Sequence, residues 1–196
     1  LKHQGTKAHV IQMLEHQIVT RDVVEEVPWK ETDGEKYFVS DENYQKIAVI
    51  ERHKNTGKMG VGIVKGYGIR NGAIASSVSH DSHNIIVVGD NDHDMVLAVK
   101  ELIHTQGGYA LVNNGKIYGT LPLQVMGLMS DAGYENVNEA LSRMIPKAHE
   151  MGIPEGFDPF ITLSFMALPV IPEIRVTPRG IYLTEQDRML ANPFHN

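Results

Sequence analysis

The apolar residues of this chain fall in short unbroken runs, and the length and punctuation of those runs predict most of its elements. Residues 8–14 (Ala-His-Val-Ile-Gln-Met-Leu) and 18–27 are rich in β-branched side chains, and the second run ends at Pro28, which predicts two strands. Residues 31–41 carry Asp33-Gly34 among charged side chains and predict a surface loop or an exposed hairpin, with Tyr37-Phe38-Val39 as a short strand. From Lys46 onward the runs become more apolar, at 47–50, 61–64, 73–78 and 85–88, with Gly57, Gly60, Gly66 and Gly68 between them. Such runs suit strands buried on both faces, so a central sheet follows.

The pattern then changes period. Asn91 stands three residues before Asp94 and opens a helical stripe of Met95, Val96, Ala98, Val99, Leu102 and Ile103, which should end before Gly107-Gly108. Residues 109–112 and 117–121 flank Asn114-Gly115, a two-residue hairpin signal because both turn positions need positive φ. A second helix is predicted at 136–150, with Val137, Leu141, Met144, Ile145 and Ala148 on one face and Gly152 beyond its end. Pro146 lies inside it and predicts a kink there, or two shorter helices. Residues 173–177 and 181–184 around Pro178-Arg179-Gly180 predict a further hairpin. The methionines at 126, 129, 151 and 166 are read as core filler. The fold class is therefore a single α+β domain, a central mixed or largely antiparallel β-sheet packed by about two to four helices.

Composition narrows the classes of function. A chain of 196 residues, 42% hydrophobic and 21% charged, is ordinary globular material for one domain. Its net charge of −6 and scattered basic residues offer no electrostatic track, so nucleic acid is not expected as a partner. No apolar run reaches the roughly 20 residues of a membrane span, and the first residues are not signal-like, so a soluble, cytoplasmic protein is expected. The absence of cysteine excludes disulfides and thiolate chemistry, and leaves ten histidines with Asp and Glu as possible metal ligands. No phosphate-binding loop, dinucleotide fingerprint or His-Glu-x-x-His helix is present.

The most unusual local feature is Ser76-Ser77-Val78-Ser79-His80-Asp81-Ser82-His83-Asn84, a polar run wedged between two strand-like runs. Its position places two imidazoles and a carboxylate together at a sheet end, where binding residues concentrate. His80 and His83 could bind a metal, move protons or donate hydrogen bonds, and Asp81 could orient either ring. A polar turn that satisfies itself explains the same residues, and two histidines fall short of the three or four ligands usual for zinc. Glu51-Arg52-His53 follows another apolar strand; as a solvated strand end it would hold a weak Glu51–Arg52 pair, while His53 could join His80 and His83. Ser130-Asp131 is read as a cap for the helix that follows. Asp90, Asp92, His93 and Asp94 begin a helix, where carboxylates favour the dipole, and lack the glycine-centred spacing of a calcium loop.

Several segments form an ordered pattern when taken together: Glu51-Arg52-His53, Gly66-Tyr67-Gly68-Ile69, Gly72-Ala73-Ile74-Ala75-Ser76-Ser77-Val78, and His80-Asp81-Ser82-His83-Asn84-Ile85-Ile86-Val87-Val88-Gly89. Asp94-Met95, Gly127-Leu128-Met129-Ser130-Asp131, Pro159-Phe160-Ile161-Thr162-Leu163-Ser164-Phe165 and Leu168-Pro169-Val170-Ile171-Pro172-Glu173 continue it in order. In this order they resemble the C-terminal domain of bacterial adenine deaminases of the amidohydrolase superfamily. The likeness spans about residues 8–182, within one domain at 1–196, and leaves a polar tail from Leu183 that could be disordered.

The resemblance implies a purine salvage reaction, adenine and water giving hypoxanthine and ammonia. It implies an amidohydrolase barrel preceding this domain, holding two divalent metal ions, manganese or iron, that activate water. A barrel of about 250 residues does not fit in this chain, so none of those metals is expected here, and the domain by itself is expected to be inactive. The implied partners are that metal-binding barrel, adenine as substrate, and a homo-oligomer. The candidate contributors to catalysis are His80, Asp81 and His83, with Glu51, His53, Ser82, Asn84, Ser130 and Asp131 as pocket residues. Two alternatives stand beside this reading: a non-catalytic scaffold or oligomerisation domain, and an independent small metal-dependent hydrolase built on His53, His80, His83 and Asp81.

Overall fold

The structure, a computed structural model, describes residues 1, 2, 5 and 7–195, the side chain of residue 195 excepted. In chain order the elements are β1 (Lys7–Met13), β2 (Thr20–Glu25), β3 (Trp29–Thr32), β4 (Glu35–Phe38), β5 (Tyr44–Ile50), β6 (Met59–Lys65), β7 (Gly72–Ser76) and β8 (Ile85–Gly89). They continue with α1 (Asp92–His104), β9 (Gly108–Asn113), β10 (Lys116–Pro122), α2 (Tyr134–Glu150), α3 (Ile161–Ser164), β11 (Ile174–Thr177), β12 (Gly180–Leu183), β13 (Arg188–Leu190) and β14 (Phe194–His195). Among the described residues a nine-stranded sheet runs β10-β9-β7-β8-β5-β6-β1-β14, with β2 paired to β1. Only β1 and β6 run parallel within it. The fold is thus α+β with a mixed, mostly antiparallel sheet.

Strand alternation sorts the core into layers. Ile47, Val49, Ile74, Ile86, Val88 and Leu111 point to one face, beneath α2, α3 and the β11–β13 sheet. Ala48, Ala73, Ala75, Val87, Ala110 and Val112 point to the other, where Met95, Ala98 and Leu102 of α1 cover them. Small residues on that face let a helix approach closely. β7 and β8, central and covered on both sides, are buried along their whole length.

Local chemistry sets several boundaries. The Asn91 side chain accepts from the Asp94 N–H and caps α1. Asn114 (φ 51°) and Gly115 (φ 74°) make the β9–β10 turn. Asp33-Gly34 closes the β3–β4 hairpin, and the β11–β12 hairpin forms as its turn residues predict.

Several expectations need correction. Of the two outcomes expected at Pro146, two shorter helices do not form: α2 is one helix through it, with Pro146 and Ser142, the residue four before it, both exposed. Val96 and Ile103 are half-exposed or more (51% and 64%), because α1 turns Asp94, Met95, Ala98 and Leu102 inward and leaves these two on its flank. Ser130 and Asp131 do not cap α2, whose N-cap is Gly133 with no side-chain bond; Ser130 Oγ accepts from the Ala132 N–H at 3.2 Å, closing a local turn. The segment from Leu183 is not a loose tail: β13 pairs with β12, β14 pairs with β1, and Phe194 is buried against Ala8, Val10 and Ile63. Asn196 lies outside the described residues.

Candidate functional site

Because β5 and β7 run one way and β8 the other, the connections at 51–58, 77–84 and 123–133 emerge at the same end of the sheet. The polar run at 76–84 crosses that end from β7 to β8. Ser77 lies at its root, accepting from the Gly108 N–H (2.8 Å) and donating to the Gly127 carbonyl (2.6 Å). The His80 N–H donates to the Ser164 carbonyl at 2.9 Å, and its ring stacks on Phe165 with centroids 4.9 Å apart. The His80 and His83 rings meet edge to face at 5.7 Å. The peptide between His80 and Asp81 is cis, and His83 has φ 49°. Asn84 is buried and Asp81 and Ser82 are exposed.

The neighbouring loop is organised by Glu51. Its carboxylate accepts from the backbone N–H groups of His53 (2.5 Å), Lys54 (2.7 Å) and Thr56 (3.0 Å) and from the Thr56 hydroxyl (2.8 Å). Those donors favour the ionised form and hold its pKa down to about 2. Glu51 is therefore occupied with its own loop, and the expected Glu51–Arg52 pair does not form. Arg52 instead turns across the sheet end: Nε donates to the His83 carbonyl (2.6 Å), Nη2 to the Met126 carbonyl (2.7 Å), and its backbone N–H to Asn84 Oδ1 (3.3 Å). Burial lowers the guanidinium's pKa. Gly127, at φ 75°, admits that guanidinium; a Cβ there would meet Nη1 at 2.9 Å and Ser77 Oγ at 3.1 Å. His53, exposed, donates through Nε2 to the Ser82 carbonyl at 2.6 Å.

His80, His83, His53, Ser82 and Asn84 are thus brought to one place, with Asp81 at its solvent side. Ser130 and Asp131 are not: Ser130 lines a separate groove under α2 with Leu128, Met129 and Tyr134, and Asp131 is exposed. Sequence reasoning named Arg52 only as a partner for Glu51 and Ser77 only within the polar run, and gave no site role to either or to Ser164 and Phe165. Arg52's partners stand 31 and 74 residues away, a distance no periodicity reports.

Burial first, then electrostatic interaction with His80 and with the Arg52 guanidinium, lower the pKa of His83 and favour its neutral ring. Ser79 Oγ and His83 Nδ1 are buried and find no hydrogen-bond partner among the described residues. The donor set does not fit a metal pair. Among the described residues no group of three or more His, Asp or Glu side chains converges as metal ligands would. His80 is stacked on a phenyl ring, His53 is committed to a carbonyl and Glu51 to its own loop. Among the described residues no helix is long and apolar enough to cross a membrane.

These features define an α+β domain with a hydrogen-bonded polar cluster at one end of its sheet and no metal-ligand set of its own among the described residues. Residues 17–188 match the model of the adenine deaminase C-terminal domain, and the chain belongs to that family. It is 51% identical over 173 residues to an adenine deaminase of Desulfitobacterium hafniense (strain Y51), a match covering 88% of this chain and 30% of that protein. It is 47% identical over 176 residues to the adenine deaminase of Nitratidesulfovibrio vulgaris (strain DP4), and 44% identical over 179 residues to adenine deaminase 2 of Carboxydothermus hydrogenoformans. Those matches cover 89% and 91% of this chain, and 30% and 31% of the relatives. The chain spans about a third or less of the length of these proteins.

Proposed function

We propose that this chain serves as the C-terminal domain of a cytoplasmic, metal-dependent adenine deaminase of purine salvage, which converts adenine and water to hypoxanthine and ammonia. In this reading the sheet end bearing 80–84 covers the site of the amino-terminal part. The divalent metals, manganese or iron, belong to that part, since the side chains here do not fit them. The observation that carries the domain's role is the convergence of His80, His83 and Arg52 on one sheet end in a member of this family.

The chemistry available to these residues is binding and shielding. A neutral His83 offers a purine edge a donor or an acceptor without a formal charge. His80, backed by Phe165, presents a flat ring face, and the loops closed by Glu51 and Arg52 exclude water from the covered site. In the full-length protein, His80→Asn and His83→Asn should each change kcat or KM for adenine by about tenfold, the worth of one hydrogen bond of about 1.4 kcal/mol. Unchanged turnover and unchanged KM in both variants would sink this role and leave the scaffold reading, in which the cluster only satisfies itself.

A further inference from the structure

We propose that the turn at 125–129, with Tyr134 beside it, is the surface on which the amino-terminal part of the full-length deaminase seats, burying Met126 and Met129. This rests on the reading of the chain as one domain of such an enzyme. Met126 is 77% exposed, Met129 59%, Tyr134 77% and Val125 40%, all within ten residues of chain. Contiguous exposed apolar side chains of this size mark contact surfaces, and methionine adapts its shape to a partner.

These side chains are held outward by a built backbone. The Val125 N–H donates to the Met129 carbonyl (2.9 Å) and the Met129 N–H returns to the Val125 carbonyl (3.2 Å). From below, Ser77 Oγ and Arg52 Nη2 bond the carbonyls of Gly127 and Met126. Met126 itself sits in the left-handed region (φ 59°), a conformation that persists where surrounding bonds over-determine it. Through Arg52, and through Ser77 of the polar run itself, the turn is tied to the same sheet end as His83.

The occupant follows from length and position. This domain is C-terminal in its family and accounts for 30% of the Desulfitobacterium relative, so most of such a protein precedes it and needs a seat on it. An apolar groove of about 600 Å³ lies between α1 and the strands β5 and β6, lined by Ile50, Met59, Val61, Val96 and Val99 among others, but it has no counterpart of the Ser77 and Arg52 side-chain bonds that tie the 125–129 turn to the polar sheet end.

Methionine oxidation by hydrogen peroxide, read by peptide mass spectrometry in the full-length protein, tests the assignment, because oxidation follows exposure. Met126 and Met129 should oxidise at least about tenfold more slowly than in the same protein unfolded in guanidinium. Oxidation at the unfolded rate overturns the proposal, and so does a protected Met59 beside a labile Met126, which would put the seat in the groove. In Met126→Glu the buried carboxylate should open the contact, so that Met129 returns to the unfolded rate; a Met129 that stays protected also overturns it. Ammonia release from adenine is measured separately. Turnover with a labile Met126 removes the docking surface and keeps the function, whereas protection without turnover removes the function and keeps the surface.

Discussion

Arg52 decides how the polar run is held. A guanidinium forks to two carbonyls at once, and here it joins loops whose strands are separated by three others in the sheet. It also adds positive charge beside His83, one of the causes that lower that ring's pKa below 6.5. With the folded value below the unfolded one, the unfolded chain takes up the proton first. The contribution to stability is therefore whole above about pH 6.5 and declines as pH falls through the window beneath it. Arg52→Gln should raise the His83 pKa toward 6.5 and shrink that decline, as read by NMR titration of the ring and by unfolding at pH 7 and pH 5. An unshifted His83 would mean that burial and the neighbouring His80, not Arg52, set its value. Glu51 was legible as a site-like acid only by position; its four donors, all within the next five residues, make it the organiser of a loop.

Elements were the most readable scale, because their signals are local. Asn91 caps α1 through the residue three positions on, and Asn114-Gly115 turns β9 into β10, each a matter of adjacent φ, ψ and side-chain reach. Asn91→Ala should cost about 1 kcal/mol, measured as a lowered midpoint of urea unfolding, with α1 amides exchanging first; an unchanged midpoint would show the cap to be redundant with the Asp94 contacts. The stripe of α2 holds, with Val137, Leu141 and Ile145 packed against the core that buries Met144 and Ala148, but the stripe of α1 was read too wide. Val96 and Ile103 fit the period of α1, but which third of a helix faces a sheet depends on where the sheet is. Met126 and Met129 belong to the same class of error, since side-chain type cannot report that a turn is propped outward by Ser77 and Arg52 from elsewhere in the chain, while Met151 and Met166 are core as expected.

At the scale of the whole molecule, Arg175 ties the small β11–β13 sheet to the main one. It is fully buried and donates to the carbonyls of Ile18, Pro172 and Ile174 and to the Thr20 hydroxyl, with burial pulling its pKa down to about 10. Arg175→Met keeps bulk but takes from the Ile18 carbonyl its donor and leaves the Ile174 and Pro172 carbonyls with Thr20 alone, and should cost about 2–3 kcal/mol in chemical unfolding. A neutral outcome would show that the cation's desolvation cancels its bonds.

The sequence by itself determined the class of fold, most of the strands, the capped start of α1 and the composition of the polar run, because each depends on residues a few positions apart. The family likeness was likewise carried by short segments in order. Tertiary structure alone decided the strand order, the pairing of β14 with β1, the partners of Arg52, the retirement of Glu51, Ser130 and Asp131 into local turns, and the outward face of Met126. Most of these are settled by which distant segments share the few ångströms at a sheet end or edge; the exceptions are Glu51 and the 130–131 turn, where several competing local bonds were possible and only the folded loop selects among them.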